Sequence, residues 1–281
     1  QTSKKQALSS SDGDNAMAVV GTDIYVSDDA TLYKSADAGQ SWSTVSTGLT
    51  AGYHIKGLAA HGTTLYIVAN NGSAGEIETW DGSTSTQKAT TGVFDGIWSV
   101  KGKFLVSIGT ALREYDGATT VASAAITLPA GETWTDVIDA GAVVLATATD
   151  GRIYSLKDVS GAFTSKGQTE ISGEKPISIT ESQGQIFYGT REDTTTSKAI
   201  GRLYRADLTV ADDLYVLANN QLIKEWNVAS TDSSPYQLLA TRDSVYMGIR
   251  EASNSYLWRY YLPTAGIARD LKFDSAGLVK G

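Results

Sequence analysis

The chain has 281 residues, of which 41% are apolar and 19% charged, and a formal net charge of −8. That is enough apolar material for a sizeable core, and the acidic balance argues against a broad nucleic-acid face, which needs clustered Lys and Arg against phosphates. Cysteine is absent and the histidines are His54 and His61, so disulfides, thiolate metal sites, Cys nucleophiles and a three-His metal centre are all excluded.

No apolar run approaches the ~18 residues of a membrane span, so no membrane insertion is expected. No signal peptide is visible, and a start at Gln1 rather than Met reads as the loss of an upstream piece. Residues 1–14 read as an N-terminal tail, within which Gln6–Ser10 is a candidate ring-closing strand.

From there the pattern repeats. Apolar runs are about 4–8 residues long and end at Asp-Gly, Asn-Gly or Gly-Gln turns, as strands do, and no helical stripe is sustained. The first repeat begins near Met17 and has Ile24-Tyr25-Val26 as its second strand. The second reads as His54–Ala60, Thr64–Ala69, Glu76–Trp80 and Thr86–Thr90. The third is Ile97–Lys101, Lys103–Ile108, Ala111–Tyr115 and Thr120–Leu128. The fourth is Thr135–Ala140, Ala142–Ala148, Arg152–Lys157 and Ala162–Gly167. The fifth begins near Pro176 and is overlong, with a polar insert at Glu192–Lys198 and extra chain at Ala211–Asn227; the sixth begins near Tyr236. Second strands start at Ile24, Leu65, Phe104, Val143, Ile186 and Val245. A period near 40 residues with four strands each is the mark of a β-propeller. The fold expected is all-β, a six-bladed propeller of four-stranded antiparallel blades over 15–274. Seven blades is the alternative, if the extra chain in repeat five forms a blade of its own. Residues 275–281 read as a C-terminal tail.

One turn carries a specific motif. Ser35, Asp37, Gly39, Ser41 and Trp42 fit the pattern S-x-D-x-G-x-[ST]-W, between the third and fourth strands of the first repeat. The Asp carboxylate can accept turn N–H groups, Gly supplies positive φ, and Trp packs between blades. Trp80-Asp81-Gly82 and Tyr115-Asp116-Gly117 echo it at the equivalent turns. On these residues the chain resembles the Asp-box (BNR-repeat) propellers of sialidase-like proteins and related extracellular and phage proteins. That resemblance implies a structural role for the five motif residues and carries no activity.

Sialidases use an early arginine motif, whereas here the first arginine is Arg113. Paired acids for other glycoside hydrolysis would be Asp28 with Asp29, Asp212 with Asp213, or Glu251; all read better as solvated turn acids. A calcium loop is represented only by the fragment Asp12-Gly-Asp14. Seven apart, His54 and His61 would face opposite sides of an ideal strand, with His54 expected in the core and His61 in a turn. No catalytic residue, cofactor or metal is therefore expected.

Arg202, Arg205, Arg250 and Arg259 are candidate partner-binding residues, and so is Trp134, the tryptophan best placed to be exposed. Asn70-Asn71-Gly72, Trp80–Thr84 and Tyr115–Thr119 are similar to propeller domains of phage tail and virion proteins. The function this implies is a non-catalytic structural or host-surface-binding module, extracellular or in a virion. Its partners would be other protein subunits and a surface glycan, not nucleic acid. The alternatives are a secreted carbohydrate-binding or carbohydrate-active propeller and a scaffold for cofactor assembly. Partner contacts are expected on the loops Glu192–Lys198 and Glu251–Ser255. An arginine cluster on one face would favour an acidic partner; scattered arginines would favour a scaffold.

Overall fold

The computed structural model describes residues 16–37, 40–195, 198–228, 234–240, 244–251, 254–262, 271–273 and 279–280. All regular structure among them is β. The first blade is β1 (Met17–Val20), β2 (Asp23–Asp28), β3 (Thr31–Ser35) and β4 (Ser43–Val45). Blade two is β5 (His54–His61), β6 (Thr64–Asn70), β7 (Gly75–Trp80) and β8 (Ser85–Ala89). Blade three is β9 (Phe94–Val100), β10 (Lys103–Ile108), β11 (Ala111–Tyr115) and β12 (Val121–Thr127). Blade four is β13 (Trp134–Asp139), β14 (Val144–Ala148), β15 (Arg152–Val159) and β16 (Ala162–Glu170). Blade five is β17 (Lys175–Ser182), β18 (Gln185–Thr195), β19 (Lys198–Ala211) and β20 (Leu214–Val228). Blade six is β21 (Ser234–Ala240), β22 (Ser244–Glu251), β23 (Asn254–Tyr261), β24 (Leu271–Phe273) and β25 (Val279–Lys280). Each sheet is an antiparallel meander in chain order. The fold is a six-bladed β-propeller.

The chain divides into two compact units, Gln1–Thr127 with blades one to three and Leu128–Gly281 with blades four to six. Within each, period-2 alternation assigns a middle strand's two faces to two different neighbours. On β6, Leu65 and Ile67 join a core with Leu32 and Tyr25 of blade one. Tyr66 and Val68, one residue out of step, join a core with Phe94, Phe104 and Val106 of blade three. In the second unit, Ile186 and Tyr188 of β18 pack with Leu145 and Ile153 of blade four. Phe187 packs instead with Val245 and Met247 of blade six. Outer strands β12 and β16 are mostly exposed, which is why they can be rich in Ser, Thr and Ala.

A register shift recurs near the start of the first strand in blades two to six. It falls between Ile55 and Gly57, and between Trp134 and Asp136. It recurs between Pro176 and Ser178, and between Pro235 and Gln237. In blade three, Ser107 and Ile108 face Gly96 and Phe94 and skip Asp95. A bulge inserts one residue and bends the strand. In β5 it also breaks the strict alternation on which opposite faces for His54 and His61 had rested.

The overlong fifth repeat forms no seventh blade. Its extra residues lengthen β18, β19 and β20 to 11, 14 and 15 residues. The β19–β20 turn is Asp212-Asp213, with φ of 50° and 62°, the positive-φ pair a two-residue type I′ hairpin requires. In blade six, β24 lies beside β23 and β25 beside β24, so Val279 and Lys280, expected in a tail, are strand residues. Gln6–Ser10 lies outside the described residues.

Candidate functional site

Among the described residues, an open recess of about 510 Å³ lies against blades two and three. Its walls are aromatic. Tyr66 of β6 sits 4.2 Å from Phe104 of β10, centroid to centroid, and 6.4 Å from Tyr115 of β11. His61, at the end of β5, lies 5.3 Å from Phe104. Phe104 and Tyr115 are buried, whereas His61 is exposed and Tyr66 partly so. Lys103 and Glu114 also line the recess, with Lys103 Nζ 3.5 Å from Glu114 Oε2.

The remaining wall is the turn Asp116–Thr120. Asp116 Oδ1 accepts from the backbone N–H groups of Ala118, Thr119 and Thr120, at 2.8, 2.9 and 2.9 Å. Gly117 takes φ +78°, and a Cβ there would lie 3.3 Å from the Phe104 ring. Both phenols hold the turn from below: Tyr66 donates to the Gly117 carbonyl at 3.3 Å and Tyr115 to the Ala118 carbonyl at 2.9 Å. Burial pushes the Tyr115 hydroxyl up, helped by Tyr66 and Asp116, and burial raises Tyr66 as well. Both therefore stay protonated donors. Burial also pushes the Asp116 carboxyl up, but its hydrogen bonds with Thr120, Ala118 and Thr119 outweigh that and hold it below the usual carboxylate range.

The Ser35–Trp42 turn is organised by its carboxylate. Asp37 accepts from Ser35 Oγ at 2.8 Å, from Ser41 N at 2.8 Å and from Ser41 Oγ at 2.6 Å. Those bonds, led by Ser41's hydroxyl, lower its pKa to about 2. Trp42 is half-buried, and Gly39 lies outside the described residues. Asp81 repeats the arrangement, with Ser83 N and Thr84 N donating at 2.8 and 2.7 Å.

The candidate arginines that are described each have partners within the chain. Arg202 is held by three carboxylates, Glu174 at 2.8 Å, Glu192 at 2.6 Å and Glu225 at 2.8 Å. Glu174 in turn accepts from Tyr204 at 2.8 Å and from Thr190. Arg205 donates to Gln221. Arg259 stacks on Tyr261 at 4.1 Å and on Tyr246 at 5.2 Å, and donates to Ser244 at 2.8 Å. The side chain of Arg250 lies outside the described residues. Trp134, expected at the surface, is buried and meets Tyr154 edge-on at 5.2 Å. The strand β13 begins at this residue, which places it under the blade rather than on the loop.

Of the acid pairs, Asp28 is buried while Asp29 is exposed and bonds His54. His54 is therefore a surface residue and not a core one. Asp213 is tied to Lys157 at 2.7 Å and Lys166 at 2.6 Å. Side chains of 193–199 and 251–255 lie outside the described residues, so the two expected contact loops are placed only by their strands. Among the described residues no group of three or more His, Asp or Glu is arranged to hold a metal ion.

Sequence reasoning missed the two best-buried acids among the described residues. Glu76 and Glu78, on β7, are 1% and 2% exposed. Glu76 accepts from Thr50 N at 2.6 Å, Thr50 Oγ1 at 2.8 Å and Gln87 Nε2 at 2.6 Å, so it fastens the linker into blade two. Burial raises Glu78, against a hydrogen bond from Ser85 and with a further push from Glu76. The signal was present: a third strand is covered on both faces, so Glu-Ile-Glu there cannot all be solvated.

No protein-family model matches the chain, and no curated protein matches it. Solved structures do. The extracellular domain of the putative one-component system BT4673 from B. thetaiotaomicron aligns at 12% identity and TM-score 0.59, over 92% of this chain and 40% of that one. A chain of the mitotic checkpoint complex aligns at 9% and 0.62, over 94% and 80%. YCF48 bound to a D1 peptide aligns at 10% and 0.56, over 95% and 90%. The likeness is one of fold. This chain spans about 40% of the BT4673 chain it matches.

Proposed function

We propose that the protein is a non-catalytic propeller that serves as a structural or surface-binding module of an extracellular assembly. The observation that carries this reading is the state of its arginines. Arg202, the most heavily engaged, is neutralised by Glu174, just before β17, and by Glu192 and Glu225 of its own blade, so its charge braces blade five rather than waiting for an acidic ligand. Arg205 and Arg259 are occupied separately, in a hydrogen bond and in aromatic stacking. Arginines engaged within the chain in this way support a scaffold over a site for an acidic partner. The likeness in fold to part of the extracellular domain of BT4673 supports an extracellular setting. The Asp-Gly turns at Trp80 and Tyr115, and the Asp37 turn with its bonded serines, support an Asp-box propeller of a phage tail or virion particle as the finer reading.

The test is a cryo-EM structure of the chain in its native particle, together with turnover assays on fluorogenic sialosides and neutral glycosides. Burial of one blade face against other subunits, with no turnover, is the expected result. Turnover that Glu174→Gln or Tyr204→Phe abolishes would overturn the reading.

A further inference from the structure

We infer that the recess against blades two and three is a binding site for a neutral saccharide of one or two rings. This deepens the surface-binding reading above and rests on it for the class of partner. Size comes first. About 510 Å³ falls in the range of small-molecule pockets, roughly 300–1,000 Å³, and is too small to seat a folded domain.

The lining chemistry selects the class. A sugar ring presents C–H faces and hydroxyl edges together, and so needs aromatic rings beside polar groups. His61 and Tyr66 offer ring surface, while the buried rings of Phe104 and Tyr115 hold them in place. Lys103 and Glu114 supply a donor and an acceptor on the rim. Charge then removes the anionic alternatives. Lys103 faces Glu114 at 3.5 Å, Asp116 lies on the same rim, and the chain carries −8. A sialoside, a phosphate or an acidic peptide would find no net positive field there.

The recess is also formed in advance. Its turn is fixed by three N–H donors on Asp116 and by two phenols on the carbonyls of Gly117 and Ala118. Little ordering remains for a ligand to supply, which matters for weak binders such as sugars.

The experiment uses the full chain, with saturation-transfer NMR and calorimetry. The probes are glucose, galactose, N-acetylglucosamine and lactose, set against sialyllactose, inorganic phosphate and a Tyr/Trp-rich peptide. A neutral sugar is expected to bind with a dissociation constant on the order of 1 mM for a single ring. His61→Ala and Glu114→Gln should each weaken it about tenfold, equivalent to one pocket contact, with the thermal midpoint unchanged. Lys103→Gln replaces either variant if it folds poorly, and Arg205→Ala should have no effect. The inference fails if no neutral sugar binds, if binding ignores the recess variants, or if only the sialoside, phosphate or peptide binds. Such a failure without turnover leaves the module reading standing, whereas turnover abolished by Glu174→Gln or Tyr204→Phe removes the module reading whatever the recess binds.

Discussion

Asp37, Asp81 and Asp116 occupy the turn between third and fourth strands in three successive blades, and each spends its carboxylate on backbone N–H groups of its own turn. A carboxylate that accepts several N–H bonds is stabilised in its charged form, so its pKa falls. For Asp37 the folded value is about 2, against an ordinary 3.8. Since the folded pKa is the lower one, the stability this group contributes is present above about pH 4 and is lost as pH falls through about 2. The expected outcome has two parts. The Asp37 carboxyl resonance should titrate near 2, and the thermal-midpoint gap between wild type and Asp37→Ala should close between about pH 5 and pH 2. A gap that stays constant over that range would show that the side-chain charge is not what holds the turn. This residue was legible in the sequence because all its partners lie within four positions. Arg202 was not, because its partners come from positions 174, 192 and 225, and residue spacing says nothing about which carboxylates a bent sheet brings together.

The fifth blade differs from the others through one element. The strand β20 has 15 residues, and its first half lies against β16 of blade four, where Leu217 N donates to Thr169 Oγ1 at 2.8 Å. The hairpin tip is clamped there as well, with Asp213 between Lys157 and Lys166 and the Tyr215 ring 5.4 Å from Lys157 Nζ. The backbones approach so closely that a Cβ at Gly167 would run into the Tyr215 carbonyl oxygen, and Gly167 holds φ +144°. Gly167→Ala thus meets both overpacking and backbone strain. It should cost about 2 kcal/mol, read as a lower denaturant midpoint. A smaller effect, like that at an open glycine, would mean that the two strands are not in contact. The sequence revealed the surplus length in repeat five but not its use, since a long hairpin and a compressed blade share the same strand pattern. Only the pairing of Ala211 with Leu214 and onward to Ala199 with Val228 separates them.

At the scale of the molecule, the repeat was readable because it is written in the second strands. Those strands are buried on both faces, and burial keeps their apolar runs uninterrupted: all five residues of β14 are buried. The recess was not readable, because its walls come from β5, β6, β10 and β11 of two blades, and the pattern along any one strand does not report where neighbouring side chains converge. The same division of labour has an energetic consequence. Repeat architectures are stabilised mainly by each repeat and its immediate neighbours. Leu65 is fully buried and belongs to the core of blades one and two, with Leu32, Ile55 and Ile67. The core of blades four and five is built from other residues, Leu145, Ile153, Ile186 and Tyr188 among them. Leu65→Ala removes about three methylene-sized groups from a closed site and should cost roughly 2–5 kcal/mol. If stability is local, amide exchange should accelerate first in β2, β5 and β6 under mild denaturant, while β14 and β18 keep wild-type protection. Equal acceleration in all of these strands would instead make the two compact units a single cooperative block, and nearest-neighbour coupling would then be the wrong description of this propeller.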